Sequence, residues 1–273
     1  MSPFRVDPST KGSRQFPSLL TALVIIFNAV VAHRSSLEHL WGNHSTGPML
    51  DKWIEYASVY QGLFESYNIG GEVKMLEIGV QSGGSLVTWS QWFQDAKFTY
   101  VGIDINPLCR ILDESSADSI YIEIGSQEDD AFLIDACSKY GPFDIIIDDG
   151  GHTAKQMIGS LRTLYPCVKQ GGFYVIEDVM CGTWSNTENI YFEGKSVFQH
   201  IARIHESMHA HFADMFPNHH KDVYDPIFSN QIKHIHLLDS LAVFEKGTKP
   251  PPPDCWLGTR EWLTVKRFRK WSP

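Results

Sequence analysis

Short apolar runs, each turning polar at its carboxyl end, set the rhythm of this chain. Val73–Ile78, Phe98–Asp104, Ser119–Ile124, Phe143–Ile147 and Gly172–Ile176 are such runs. Brief β-branched or aromatic stretches of this kind predict strands buried on both faces. Between them lie stretches with helical spacing. LVTWSQWF follows Ser85, Asp130 to Tyr140 ends at Gly141-Pro142, and Lys155 to Val168 turns Ile158, Leu161, Leu164 and Tyr165 inward. Strand and helix in alternation predict a parallel sheet covered on both sides. Ile232–Leu238 and Leu241–Glu245, joined at Asp239-Ser240, read as a closing hairpin. The expected fold is therefore α/β: a Rossmann-like, doubly wound, seven-stranded sheet, mostly parallel, with a C-terminal antiparallel hairpin. Upstream, Leu50 to Tyr67 also has helical spacing, with Trp53, Tyr56, Tyr60 and Phe64 at intervals of three and four. Such a stripe is usually core, although the two tyrosine hydroxyls suit a cleft wall as well.

The polar ends of the runs carry the candidate chemistry. Phe143–Ile147 resolves into Asp148-Asp149, breaks at Gly150-Gly151 and delivers His152, and Gly172–Ile176 resolves into Glu177-Asp178. Carboxylates and an imidazole at the end of a buried strand are costly unless water, a metal or a ligand receives them. In open α/β sheets that edge is where ligands bind. Val73–Ile78 runs into Gly79-Val-Gln-Ser-Gly83-Gly84-Ser85 ahead of a helix. Strand, glycine-rich turn and helix together offer backbone N–H groups to a nucleotide-like ligand, though tight packing uses the same glycines. Asp104, closing the second strand, is placed to accept both hydroxyls of a ribose. Ser126-Gln127 either hold an adenine edge or belong to a helix start, with Ser126 and Asp129 as a capping box.

Charge and composition narrow the class. Lys and Arg total 23 against 32 Asp and Glu, a net charge of −9, which argues against a nucleic-acid surface. Residues 16–32, FPSLLTALVIIFNAVVA, are apolar except for Ser18, Thr21 and Asn28, and a basic start at Arg5, Lys11 and Arg14 precedes them. That pattern matches a secretory signal or a membrane anchor, the alternative being a helix packed on the domain. A targeting role would put the domain in the secretory pathway, in the ER or Golgi lumen or at a membrane; otherwise the expected place is the cytoplasm. His33 to Gly47 reads as a polar stretch that detaches the leader. The expected organisation is a leader over 1–36, a catalytic domain over 37–247 and a Pro-rich, basic tail over 248–273. Within the domain, 180–230 reads as an insertion overhanging the carboxyl edge. Its histidines (His200, His205, His209, His211, His219 and His220) read mostly as surface or lid residues. Cys109, Cys137, Cys167, Cys181 and Cys255 show no metal-type pairing and read as free thiols.

Glu77-Ile-Gly79-Val-Gln-Ser-Gly83-Gly84-Ser85, Asp104 and the closing hairpin resemble the class I S-adenosylmethionine-dependent methyltransferases. Ile147-Asp-Asp149-Gly-Gly-His152, Ile176-Glu177-Asp178 and Asp51-Lys52-Trp53 look, more narrowly, like the magnesium-dependent sugar O-methyltransferases of macrolide biosynthesis. They also look like the related cephalosporin hydroxylase-like and rhamnosyl O-methyltransferase proteins. The resemblance covers roughly residues 50–246. It implies S-adenosylmethionine and Mg²⁺ as cofactors, with Asp149, Glu177 and Asp178 holding the metal and His152 as general base. Around the cofactor it implies Glu77, Gly79 and Asp104, and we add Gly83, Ser85, Ser126, Gln127 and Asp148 as expected cofactor-binding residues. The expected partner is a small-molecule or glycan acceptor, with residues 16–32 as the point of any membrane attachment.

The chemistry is consistent on its own terms. Mg²⁺ takes a few carboxylates plus waters and substrate oxygens, and chelating a vicinal diol lowers the pKa of one hydroxyl. A neutral imidazole then serves as base near pH 7. Two departures from the antibiotic enzymes are expected: no long N-terminal auxiliary domain, and residues 16–32 as an apolar leader. An iron-dependent hydroxylase is the main alternative, but a non-haem iron site wants two histidines and one carboxylate. A nicotinamide dehydrogenase is disfavoured by the missing G-x-G-x-x-G and by the hairpin. A non-catalytic S-adenosylmethionine-binding module is disfavoured by the intact Asp149, His152, Glu177 and Asp178.

Overall fold

The computed structural model describes residues 35–114, 119–183, 190–210 and 223–248. The apolar segment 16–32, the basic tail, Cys255, His211, His219 and His220 lie outside the described residues. Among the described residues, no helix is long and apolar enough to cross a membrane.

Strands β1 (Glu72–Ile78), β2 (Lys97–Asp104), β3 (Ile120–Ile124), β4 (Phe143–Asp148) and β5 (Val168–Ile176) form where the apolar runs predict them. A two-residue pair, β6 (Tyr191–Phe192) and β7 (Lys195–Ser196), stands apart from the main sheet. The chain closes with β8 (Ile232–Leu237) and β9 (Ala242–Lys246). The seven-stranded sheet has the order β3-β2-β1-β4-β5-β9-β8. β1 to β5 pair in parallel, while β9 runs antiparallel to both β5 and β8. Strand order reverses between β1 and β4, so the loops leaving these two strands open a crevice at the carboxyl edge.

Helices cover both faces. On one lie α1 (Leu37–Gly42), α2 (Ile54–Phe64) and α3 (Gly84–Trp92). Their core is aromatic: Tyr60 stacks on Phe64 at 5.4 Å and meets Trp89 edge-on at 5.5 Å, contacts that add about 0.5–1.5 kcal/mol each beyond area burial. On the other face, α4 (Asp130–Tyr140), α5 (Ala154–Leu164) and α6 (Val197–Ser207) bury Leu133, Ile158, Leu161 and Ile201 against Ile146, Tyr174 and Phe244.

The structure corrects several expectations. Of the stretch His33 to Gly47, read as a polar spacer, the described residues 35–47 do more than space: α1 forms there because Ser36 caps it, accepting from His39 N at 3.0 Å, and Leu37 and Trp41 are buried. The second helix starts at Ile54 rather than Leu50, leaving Asp51-Lys52-Trp53 extended. β5 starts at Val168, so Lys169 to Gly172 belong to the strand, with the register slipping against β4 between Phe143 and Ile145. In the described part of 180–230, α6 begins in a Ser196/Gln199 capping box and joins the core through Val197, Ile201 and Ile204. His200 is buried, its Nε2 at 2.7 Å from Phe192 O, and His205 and His209 pack ring to ring at 5.3 Å. Finally, Cys137 and Cys167 form a disulfide, because α4 ends beside the start of β5. Cys109 and Cys181 are the free, buried thiols of the described chain.

Candidate active site

The crevice between β1 and β4 is a cleft of about 400 Å³. Its walls hold the loop after β1, Asp104 to Asn106 after β2, Gly125 to Gln127 after β3, Asp149 to His152 after β4 and Glu177-Asp178 after β5. Backbone hydrogen bonds tie the loops together: Gly79 N donates to Ile103 O at 2.8 Å and Asp149 N to Ile78 O at 2.9 Å. Gly79 has φ +89, and a Cβ there would stand 1.9 Å from Asp149 O, so only glycine lets the two loops close up. Gly83, at φ +87, caps α3 in the left-handed region with its missing Cβ facing Leu112. Three other residues of the cleft, Gln81, His152 and Asp178, also have positive φ (50, 57 and 53). For residues with a side chain such backbone costs about 1–3 kcal/mol each and concentrates where a site demands it.

The predicted acids sort into two groups. Asp149, His152 and Asp178 each turn one ligand-type atom to a common point, all within 4.8 Å of one another. His152 Nε2 lies 3.8 Å from Asp149 Oδ1 and 3.8 Å from Asp178 Oδ2. Glu177 stands deeper. Its Oε1 accepts from Tyr60 OH at 2.7 Å and from Lys52 Nζ at 2.8 Å. Lys52 Nζ also donates to Asp149 Oδ2 at 2.7 Å and Glu77 Oε1 at 3.1 Å. One buried ammonium thus gathers three carboxylates. Burial alone would lower the Lys52 pKa, but Glu177, Asp149 and Glu77 together hold it well above its ordinary value. Burial pushes Glu177 up to about 8, with Lys52 pulling the other way and Asp149 adding to the rise. Burial also raises Asp149, again against Lys52.

The expected cofactor residues divide in the same manner. Gly79, Ser85, Asp104, Ser126 and Gln127 line the cleft. Asp104 is oriented by backbone donors, Gln81 N at 2.9 Å and Asn106 N at 2.8 Å. Ser126 Oγ accepts from Glu128 N at 3.2 Å, and the cap of α4 is Asp129, which accepts from Phe132 N at 3.1 Å. The proposed Ser126/Asp129 capping box therefore does not form. Gln127 bridges two loops, giving Nε2 to Asp148 Oδ1 at 3.0 Å and taking Gly151 N at 2.7 Å. Glu77, Gly83 and Asp148 stand behind the wall. Glu77 is fully buried, bound by Ser85 Oγ at 2.8 Å and Tyr100 OH at 2.5 Å as well as Lys52. Asp148 is held by Ser160, Gln127 and Tyr174, and burial pushes its carboxyl up to about 6.

Sequence reasoning left Tyr56 and Tyr60 open between core and cleft wall and gave Lys52, within Asp51-Lys52-Trp53, no role of its own. Lys52, Tyr56 and Tyr60 are four residues apart; Tyr56 OH donates to Asp178 Oδ1 at 2.8 Å, as Tyr60 does to Glu177. Tyrosines within the helical stripe, spaced four residues from a lysine, were the available signal.

A parallel sheet reversing at β1/β4, a glycine turn after β1, an acid closing β2 and an antiparallel closing pair define the class I methyltransferase fold. Residues 76–179 match the family Methyltransf_24, a methyltransferase domain. The chain is 30% identical over 248 residues to 8-demethyl-8-(2-methoxy-alpha-L-rhamnosyl)-tetracenomycin-C 3'-O-methyltransferase of Streptomyces olivaceus, covering 86% of this chain and 60% of the relative. It is 37% identical over 134 residues to mycinamicin VI 2''-O-methyltransferase of Micromonospora griseorubida, covering 46% of this chain and 31% of that one. Among solved structures, MycE methyltransferase from the mycinamycin biosynthetic pathway, in complex with Mg and SAH, superposes with a TM-score of 0.63 at 28% identity. That likeness covers 86% of this chain and 62% of MycE. The chain thus spans about 60% of the length of the tetracenomycin enzyme and of MycE. The resemblance to sugar O-methyltransferases read from the motifs is borne out.

Proposed function

We propose that this protein is an S-adenosylmethionine-dependent, Mg²⁺-assisted O-methyltransferase acting on a hydroxyl of a sugar or another vicinal diol. The observation that carries the reading is the convergence of Asp149, His152 and Asp178 within 4.8 Å at the floor of a cleft that Asp104 and the glycine turn also line. The residues fit both cofactors. Asp149 Oδ1 and Asp178 Oδ2 are hard oxygen donors facing open space, the set a small divalent ion takes together with waters. Glu177 stands behind them, its Oε1 engaged by Lys52 and Tyr60. Gly79, Ser85, Asp104, Ser126 and Gln127 would receive the nucleoside and amino-acid parts of the methyl donor. When bound, S-adenosylmethionine supplies an electrophilic methyl and Mg²⁺ supplies Lewis acidity toward the acceptor oxygen.

The chain's own residues do the rest. His152 takes the proton of the acceptor hydroxyl at Nε2, which stands 3.8 Å from a carboxylate oxygen of Asp149 and of Asp178. Tyr56 fixes Asp178 and Lys52 fixes Asp149, so neither acid swings away as the proton moves. Two carboxylates and one histidine are the reverse of the donor set that non-haem iron favours, which disfavours the hydroxylase reading. Sugar O-methyltransferases among the relatives, including enzymes for a rhamnosyl tetracenomycin and for mycinamicin VI, support the acceptor class.

The test is methyl transfer to a panel of glycosides and other vicinal diols, with chelator and metal add-back. His152→Ala is expected to slow turnover by roughly 10²–10⁴-fold, the usual worth of a positioned base. Calorimetry should find its S-adenosylmethionine and Mn²⁺ affinities unchanged. Full activity in chelator, or a His152→Ala enzyme at the wild-type rate, would overturn the corresponding role.

A further inference from the structure

We infer that His234, His236 and Glu245 form a second cation site, of the zinc type, on the β8–β9 edge of the sheet. Strand geometry assembles it. His234 and His236 are two apart on β8 and so share a face. Glu245 is directly opposite His234 in the antiparallel register, and His236 is two pairs further along, opposite Val243. The two imidazole rings lie 6.0 Å apart, and one ligand atom from each of the three residues falls within 4.8 Å of the others. An N/O-ligated Zn²⁺ sits about 2.0–2.2 Å from each donor, so two donors stand at most roughly 4.0–4.4 Å apart. Small side-chain rotations of the two exposed histidines close that gap.

The donor set selects the ion. Two imidazoles and one carboxylate suit Zn²⁺ and its borderline neighbours, whereas Mg²⁺ wants oxygen. His234 Nδ1 already meets Glu245 Oε2 at 2.7 Å, so a bound ion replaces the proton they share. Lys233 Nζ holds the other carboxylate oxygen, Oε1, at 2.6 Å, leaving Oε2 as the ligand atom and fixing its direction. Beside His236 a shallow groove opens toward Val59, Leu63 and Leu237, so the fourth position faces solvent. The ion would tie the edge strand β8 to β9. None of the three residues lines the cleft, so the site stands or falls apart from the proposed catalysis.

The experiment uses the full chain, stripped with chelator, and titrates Zn²⁺ by calorimetry and Co²⁺ by visible absorption. A four-coordinate N/O site gives Co²⁺ a much stronger band than an octahedral oxygen site. Wild type should bind one Zn²⁺ with a strong Co²⁺ band and a raised melting temperature, apart from any ion taken up at Asp149 and Asp178, and Asp149→Asn should keep that event and its band. His234→Ala and His236→Ala should each bind at least tenfold more weakly and lose the band, while their melting temperatures without metal show that they fold. A Zn²⁺ event absent from wild type, abolished by Asp149→Asn, or retained within tenfold in both histidine variants would overturn the site and leave an ordinary surface ion pair.

Discussion

Lys52 shows how far a single residue's role can lie from its sequence neighbourhood. Its Nζ meets acids 25, 97 and 125 positions away. Nothing local distinguishes it from a solvated lysine ahead of a helix, whereas Asp149, His152 and Asp178 were legible because a polar cluster ending an apolar strand is anomalous wherever it occurs. Removing one partner of a buried ion pair leaves the other charge uncompensated, at about 3–5 kcal/mol. Lys52→Met should therefore lower the unfolding free energy by that order in urea titrations, and a variant as stable as wild type would mean that the acids are not held by this cation. His200 makes the opposite point: read as a surface histidine, it is buried, and burial lowers its pKa from 6.5 while Phe192 O pulls the other way. A depressed folded pKa means that the neutral form is favoured on folding. The resulting stability is present above about pH 6.5 and is lost as pH falls through the folded value. Melting temperatures of wild type and His200→Gln should thus diverge with pH below 7, the wild type falling more steeply; parallel curves would refute the assignment.

Elements carry these residues into place. The periodicity of 50–67 pointed to a helix with Tyr56 and Tyr60 on its buried face, and left open whether they fill a core or line a cleft. They do both, because the rings pack while the hydroxyls reach Asp178 and Glu177. The helix start was not legible, since extension at Trp53 follows from Lys52 entering the acid cluster. Tyr60→Phe keeps the ring and removes the donor to a buried carboxyl, so a loss of about 1–3 kcal/mol is expected by denaturant titration. Tyr56→Phe should instead reduce turnover, through a looser Asp178, with little change in stability; equal effects of the two on stability would argue against that division. α5 begins immediately after His152 with a Thr153/Gln156 capping box, and Thr153→Ala should cost about 1 kcal/mol.

At the scale of the whole molecule, strand positions, their parallel run and the closing antiparallel pair were all readable, because each strand announces itself by composition and each polar end marks the same edge. What crosses between elements was not readable. The Cys137–Cys167 bridge is the clearest case: five cysteines without a recognisable spacing say nothing about which two meet. They meet because β4 and β5 are neighbours, which brings the end of α4 to the start of β5 at the amino edge, opposite the cleft. The closed loop spans 30 residues, for which chain entropy estimates a stabilisation of about 3–4 kcal/mol. Reduction under non-denaturing conditions, or Cys137→Ala with Cys167→Ala, should therefore lower the unfolding free energy by that order. Because the bridge lies at the far edge from Asp149, His152 and Asp178, the affinity for S-adenosylmethionine at a temperature where both forms are folded should not change. Denaturation midpoints that are identical with and without reductant would show that the two thiols do not pair in solution; a parallel loss of ligand affinity would show instead that the amino edge and the cleft are coupled through β4.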